Sequence, residues 1–128
     1  MIVKTEQDIE GGKGETVLSG GDARVLRYLL REDGVGFTVS DIRVKAGSSA
    51  VLHYKNHIES NLVIEGEGTV EDMATGEVHN LAPGTVYVLD KHDKHRVNAT
   101  TAMRLICVFT PALVGGETHD EDGAYPLL

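Results

Sequence analysis

The stretch GSSAVLHYKNHIESNLVIEG, residues 47–66, is the most informative part of this chain for its architecture. It carries His53 and Glu59 between two glycines, a spacing that sets a histidine and a carboxylate on adjoining strands of a small β-barrel. His53, His57 and Glu59 share parity, so an unbroken strand directs all three to one face. A turn near Asn56 breaks that relation.

A second block, GTVYVLDKHDKH at residues 84–95, follows downstream. It places His95 after a predicted strand, residues 85–89, and a tight polar turn, where a third ligand reaches the same point in space. Together the two blocks resemble the paired motifs of the cupin family. Cupins are small β-barrels that commonly hold one metal ion among two or three histidines and a glutamate, so the resemblance implies a metal-centred pocket in the barrel. Lys55 departs from the pattern, because the first cupin motif usually carries its second histidine there.

Length and composition limit the architecture and the partners. The 128 residues, 41% of them hydrophobic, suffice for one compact core and are too few for two, so residues 1–128 are expected to form a single cupin domain. The net charge of −8 argues against a nucleic-acid or anionic-membrane partner. No apolar run approaches the roughly 20 residues that span a bilayer, no signal-peptide pattern opens the chain, and the lone Cys107 cannot form an internal disulfide. We therefore expect a soluble cytoplasmic protein.

Runs of β-branched and aromatic residues between glycine-containing turns predict an all-β fold. Nine strands are expected, at residues 25–30, 36–44, 50–54, 58–65, 69–73, 78–81, 85–89, 96–99 and 103–109. One short helix is expected at residues 5–9, where Thr5 with Asp8 gives a start signal. The polar, glycine-rich segment 115–128 is expected to be a surface tail unless another element binds it.

Glu59 is the leading candidate ligand, because it precedes the apolar residues 62–64 and an unpaired carboxylate is costly to bury there. Binding a cation relieves that cost. Alternatively, Glu59 points to solvent or pairs with Lys55 or Arg43. For His95, the alternative is a solvated histidine in a turn.

Tyr87 lies in the predicted strand 85–89, where its phenol either packs in the core or reaches the pocket. From the residues alone, core packing is the more ordinary interpretation. His79 and His92 are interpreted as solvated residues without a role.

Four longer segments resemble the ectoine synthase family: residues 54–59, 63–72, 81–97 and 107–128. The resemblance implies a hydro-lyase that closes N-γ-acetyl-2,4-diaminobutyrate, a small molecule derived from an amino acid, into the cyclic amidine ectoine with loss of water. It also implies a homodimer and bound iron(II), although zinc or manganese suits the same ligands. Carried over position by position, the metal ligands are Glu59, Tyr87 and His95, which reverses the core interpretation of Tyr87.

The same resemblance implies further site residues. The substrate-binding positions are Arg27, Ser40, Tyr54, Cys107 and Phe109, and the catalytic positions are Tyr87, Glu117 and His119. Arg27 is expected to clamp the substrate carboxylate. Glu117 or His119 is expected to accept the proton of the substrate's ammonium group, with one of them or Tyr87 returning a proton to the departing hydroxyl. Residues 117–128 then serve as a C-terminal lid over the barrel mouth.

The chain departs from the family in its first third. It contains no tryptophan, and Ala23 and Val25 stand where the family usually has a tryptophan and a serine. Ser40 and Ile42 match positions that are polar in the family, and Asn61 matches one where the family prefers an apolar residue. Since these changes alter the pocket wall, the metal centre is more firmly predicted than the substrate. A related amino acid derivative is the alternative substrate.

Two further hypotheses use the same region differently. His53, Glu59 and His95 would form the facial triad of two histidines and one carboxylate found in non-haem iron oxygenases. In the other hypothesis, the protein is a metal-free cupin that binds a small molecule, with Lys55 forming an ion pair with Glu59.

Overall fold

The fold consists of one short helix and ten strands, in a computed structural model that describes residues 1–128. The elements are α1 (Glu6–Ile9), β1 (Glu15–Leu18), β2 (Ala23–Arg27), β3 (Thr38–Val44), β4 (Ser49–Leu52), β5 (Ile58–Glu65), β6 (Gly68–Asp72), β7 (Val78–Leu81), β8 (Val86–Val88), β9 (His95–Ala99) and β10 (Met103–Thr110). The Thr5 N–H donates to the Asp8 carboxylate at 2.7 Å and so satisfies a free donor at the start of α1. The predicted all-β fold with one short N-terminal helix is confirmed.

The strands form two antiparallel sheets. The six-stranded sheet has the order β1-β2-β3-β10-β5-β8, and the four-stranded sheet has the order β4-β9-β6-β7. Central strand β10 shows why they pack face to face, because every second side chain is buried: Met103, Leu105, Cys107 and Phe109. These residues join apolar side chains of the smaller sheet, such as Val70, in one core cluster.

The predicted strands differ from the observed ones mainly at the N-terminal end. Strand β1 was not predicted, because its four residues contain too short a β-forming run to stand out. Its partner β2 begins at Ala23 and ends at Arg27, whereas the prediction placed it at residues 25–30. His95 is the first residue of β9 and pairs with Leu52.

The segment after β10 folds back over the barrel and is bound along its length. The His53 N–H donates to the Gly123 carbonyl at 2.9 Å, and Asn56 Nδ2 donates to the Tyr125 carbonyl at 3.0 Å. Tyr125 is only 1% exposed. The sequence predicted a surface tail unless another element binds this segment. Barrel residues do bind it, so it is not a free tail.

Helix α1 has only four residues, and no helix of the fold is long and apolar enough to cross a membrane.

Candidate metal and substrate site

A row of polar side chains crosses the inner face of the six-stranded sheet. Strand register pairs β2 with β3, β3 with β10, β10 with β5, and β5 with β8 at the same level. The residues in this polar row are Arg27, Ser40, Cys107, Asn61 and Tyr87. The first four are buried and Tyr87 is partly exposed. Side chains from five different strands therefore meet along one line.

The residues on either side keep water away from the polar row. Two residues away along the strands, on the same face, lies an apolar row in which Val25 and Leu105 both pair with Ile42. Two residues away in the other direction, Phe109 pairs with Glu59. Charges and dipoles in the polar row therefore act in a desolvated setting, where electrostatic interactions are stronger than in water.

Several buried atoms of this row have no hydrogen-bond partner. They are Arg27 Nε and Nη1, Ser40 Oγ and Asn61 Nδ2. Most buried polar groups in folded proteins have a partner, so an unpaired set at one level of a sheet indicates a place for a ligand.

Glu59 is buried, with 4% of its surface exposed, and burial raises its pKa to about 7 although the Asn61 side chain lowers it in part. Its expected protein partners are engaged elsewhere. Lys55 Nζ pairs with Asp122 at 2.8 Å, and Arg43 pairs with other carboxylates. The alternatives in which Glu59 faces solvent or pairs with Lys55 or Arg43 are wrong, as is the Lys55 ion pair of the metal-free hypothesis.

His95 is buried, so the alternative of a solvated histidine is wrong for it. Its Nδ1 lies 2.9 Å from the Asp93 carbonyl, which can only accept, so Nδ1 carries the proton. Burial lowers its pKa, which favours the neutral ring. Nε2 therefore presents a lone pair, and it is buried without a partner. A backbone acceptor that holds one ring nitrogen while the other faces a free position is the usual arrangement of a metal-binding histidine.

Tyr87 lines one hollow with each of these two groups. It lines an interior cavity of about 80 Å³ together with Glu59, and it also lines a cleft together with His95 at the open edges of β7 and β8. Burial raises the pKa of its phenol well above the ordinary value, and the Glu59 carboxylate adds to that rise. A carboxylate, a phenol and an imidazole lone pair without cationic partners are a donor set that fits a divalent metal ion such as iron(II), zinc or manganese.

The facial-triad hypothesis finds no matching geometry. No three His, Cys, Asp or Glu side chains converge closely enough to hold one metal ion. The turn between β4 and β5 breaks the shared parity of His53 and Glu59, and His53 is held through its backbone by Gly123.

Tyr54 connects the barrel to the C-terminal segment through an aromatic cluster. Its hydroxyl lies 2.8 Å from His119 Nε2, and its ring packs edge-on against Phe109 at 5.0 Å. The His119 ring stacks on Tyr125 with centroids 4.7 Å apart. Burial, assisted by the Arg27 charge, lowers the pKa of His119 to about 4, so this imidazole is neutral at pH 7.

Glu117 is the second predicted catalytic residue of this segment, and its groups are all engaged. Its carboxylate accepts backbone N–H bonds from Val114 and Gly115, each at 2.7 Å. Its carbonyl accepts a hydrogen bond from Arg27 Nη2 at 2.8 Å, and Arg27 Nη1 lies 4.0 Å from the carboxylate. The Arg27 guanidinium also lies 5.1 Å above the Tyr125 ring. Glu117 therefore shapes the segment and holds Arg27 in place.

Sequence reasoning missed three residues of this region. Asn61 lies two residues after Glu59 and so on the same face of one strand, and this spacing could have identified it as a site residue. His57 is buried with Nδ1 unpaired. His92 and His79 are both exposed, as expected, and His92 in addition lies 2.8 Å through Nδ1 from the Tyr54 carbonyl and so connects two loops.

Comparisons with known proteins agree on one family. The family model described as ectoine synthase matches residues 1–128. An L-ectoine synthase of Oceanobacillus iheyensis is 54% identical, covering 100% of this chain and 98% of that relative. The crystal structure of ectoine synthase from P. lautus has a TM-score of 0.86 and 44% identity, covering 100% of this chain and 91% of that chain. A predicted oxalate decarboxylase from Thermotoga maritima shares the fold alone, with a TM-score of 0.70 at 18% identity. The chain belongs to the ectoine synthase family.

Proposed function

We propose that this protein closes N-γ-acetyl-2,4-diaminobutyrate into ectoine with loss of water, as a carbon–oxygen lyase. The observation that carries the proposal is full-length similarity to ectoine synthases, at 54% identity to one of them, combined with a buried polar row that has unpaired atoms. A zwitterionic substrate with an amide at one end needs such a row, because its charges and its carbonyl must be paired inside a desolvated cavity.

We propose further that the site holds iron(II), with zinc or manganese as alternatives, between Glu59, Tyr87 and His95. The support is the donor set itself, since His95 Nε2 is unpaired and no cationic side chain pairs with the buried Glu59. A bound divalent metal ion supplies Lewis-acid polarisation of an amide carbonyl, which is otherwise a poor electrophile.

Arg27 binds the substrate carboxylate in this proposal. Its Nη2 donates to the Glu117 carbonyl, whereas Nε and Nη1 are buried without a partner. The guanidinium therefore keeps charged N–H donors that a substrate carboxylate can use. Held there, the substrate keeps its amine near its own carbonyl, which favours ring closure through proximity.

His119 accepts the proton that the substrate's ammonium group must lose before it attacks. The ring is neutral at pH 7, and the C-terminal segment that carries it is bound to the barrel through Gly123 and Tyr125. The Tyr54 hydroxyl, 2.8 Å from Nε2, keeps its own proton because burial raises its pKa. Tyr54 therefore orients the imidazole and donates to it until the substrate displaces that bond.

A homodimer is the assembly that we propose. The outer face of β5 and β8 exposes apolar side chains: Leu62 is 42% exposed, Val86 59% and Val88 45%. Apolar side chains grouped on one sheet face are commonly covered by a partner. Light scattering at increasing protein concentration measures this assembly directly.

The reaction is tested by incubating iron-loaded protein anaerobically with N-γ-acetyl-2,4-diaminobutyrate and following the ring-closed product by NMR. We expect turnover that chelation abolishes and iron restores. Glu59→Gln is the matched control, because it removes the charge and keeps the shape. Equal rates with and without iron would refute the metal proposal, and no product in any condition would refute the reaction.

A further inference from the structure

The Asn61 amide contains a buried donor that has no hydrogen-bond partner of good geometry, although it lies near enough to the Glu59 carboxylate to lower the pKa of that group. Asn61 is 2% exposed, lines the interior cavity with Glu59 and Tyr87, and its Nδ2 has no hydrogen-bond partner. A donor buried to this degree is expected to meet an acceptor when the site is in use.

Cys107 determines which end of this amide is free. The Cys107 thiol donates to Asn61 Oδ1 at 2.6 Å, and the two residues are paired across β10 and β5. Since the thiol occupies the oxygen, the nitrogen is the end left for another group. The amide is thereby fixed in one orientation before a ligand arrives, which lowers the entropy cost of binding.

The position of Asn61 in the polar row suggests the chemistry of its partner. Arg27 stands at one end of the row, and Asn61 stands three strands away, beside Tyr87. In a γ-N-acylated amino acid, the carboxylate and the acyl carbonyl lie at opposite ends of a short chain. If the carboxylate of such a ligand binds Arg27, as proposed above, its carbonyl is at the end nearer to Asn61.

We infer that Asn61 is a further substrate-binding residue, whose Nδ2 donates a hydrogen bond to the acyl carbonyl oxygen of the substrate. The inference rests on the proposed function and deepens it, because it identifies a group that selects an N-acylated substrate over one without the carbonyl. A site that offers a buried donor discriminates against ligands that leave that donor unpaired.

Glu59 is the other acceptor on the same cavity wall, and an experiment must separate the two roles. If Nδ2 served Glu59, removal of the donor would disturb metal retention. If it serves the ligand, removal would disturb only ligands that contain the carbonyl.

Calorimetry with two unreactive ligands separates these roles. Neither 4-acetamidobutyrate nor heptanoate has the α-amine needed to cyclise; both carry a carboxylate on a chain of similar length, and only the first has an amide carbonyl. Asn61→Leu removes the donor at similar volume, and Asn61→Val replaces it if the leucine variant does not fold. All measurements use metal-containing protein as purified.

We expect Asn61→Leu to bind 4-acetamidobutyrate about tenfold more weakly than the wild type, equivalent to about 1.4 kcal/mol. Heptanoate affinity should stay within about twofold, with metal content unchanged by elemental analysis. Equal weakening of both ligands, or loss of metal, would overturn the role of Asn61 while leaving the proposed reaction intact. Failure of the wild type to bind 4-acetamidobutyrate at all would also overturn the role of Asn61, whereas the reaction is refuted separately, by the absence of ring-closed product from N-γ-acetyl-2,4-diaminobutyrate.

Discussion

The Tyr54 hydroxyl oxygen and His119 Nε2 lie 2.8 Å apart, and this hydrogen bond joins the loop after β4 to the C-terminal segment. Tyr54 is 2% exposed and His119 stacks on Tyr125, so both partners are held by packing as well. The bond therefore adds orientation to residues whose positions are already fixed.

Tyr54→Phe should remove that orientation at small cost to stability. The ring still packs on Phe109, so we expect a loss of about 1 kcal/mol in the free energy of unfolding. Turnover should fall by about tenfold or more, because the His119 ring loses its fixed orientation. Urea unfolding and steady-state kinetics measure the two effects. A variant with normal kcat would show that Tyr54 serves packing alone.

Gly123→Ala should detach the C-terminal segment. Gly123 has φ +76°, and a Cβ there would lie 2.6 Å from the Val51 carbonyl oxygen, which is a backbone atom. Gly76 is a matched control, because it has the same φ of +76° with nothing within 4 Å of an added Cβ. Gly76→Ala therefore reports the cost of the left-handed backbone alone, about 1 kcal/mol.

We expect Gly123→Ala to lower the free energy of unfolding by more than Gly76→Ala does. It should also raise the rate of hydrogen exchange at the His53 amide, which donates to the Gly123 carbonyl. Turnover should fall, because His119 leaves the barrel with the segment. Gly76→Ala should change none of these functional readouts. Equal effects of the two variants would contradict the close contact with Val51.

Glu59 should make the stability of metal-free protein depend on pH. Its pKa rises from 4.5 in the unfolded chain to about 7 when folded, so the folded state holds a proton that the unfolded state releases between those values. Stability from the protonated carboxyl is thus complete below pH 4.5 and is lost as the pH rises through 7. Relative to Glu59→Gln, the wild type should lose about 3 kcal/mol over that range. Chemical unfolding at several pH values tests this, and a difference that stays constant would argue against a buried carboxyl.

Metal retention should depend on Tyr87 and not on His53. We expect Tyr87→Phe and His95→Gln to lose bound metal during purification, because each removes one donor of the proposed set. His53→Asn should retain it, since His53 lies outside that set. Elemental analysis of protein purified without chelators measures all three. Loss of metal in His53→Asn but not in Tyr87→Phe would revive the facial triad, in which His95 also takes part.

Local sequence patterns predicted the fold and the buried carboxylate, and for a physical reason. Glu59 sits in β5 at a spacing that repeats every two residues, so its burial follows from the alternation within one strand. His95 was placed by a similar local argument, although its strand begins one residue earlier than predicted.

The rest of the site depends on contacts between distant segments. The orientation of the Asn61 amide is set by Cys107, 46 residues away, and by the strand register that pairs the two residues. Glu117 could not be recognised as a support for Arg27, because a separation of 90 residues hides the bond between them. The prediction missed strand β1 for the opposite reason, because its four residues contain too short a β-forming pattern to be recognised locally.

The polar row has one member on each of five strands, and this has a consequence for how the family diverges. If β5 alone slipped by two residues, the ladder of backbone bonds would re-form, yet Glu59 or Val63 would stand beside Cys107 in place of Asn61. A loop insertion that shifts a strand by two residues therefore preserves the backbone hydrogen bonds of the sheet but removes a residue from the polar row. Loop lengths next to β5 and β10 should vary less among active relatives than the length of the loop between β6 and β7, because neither of those two strands contributes a member to the row.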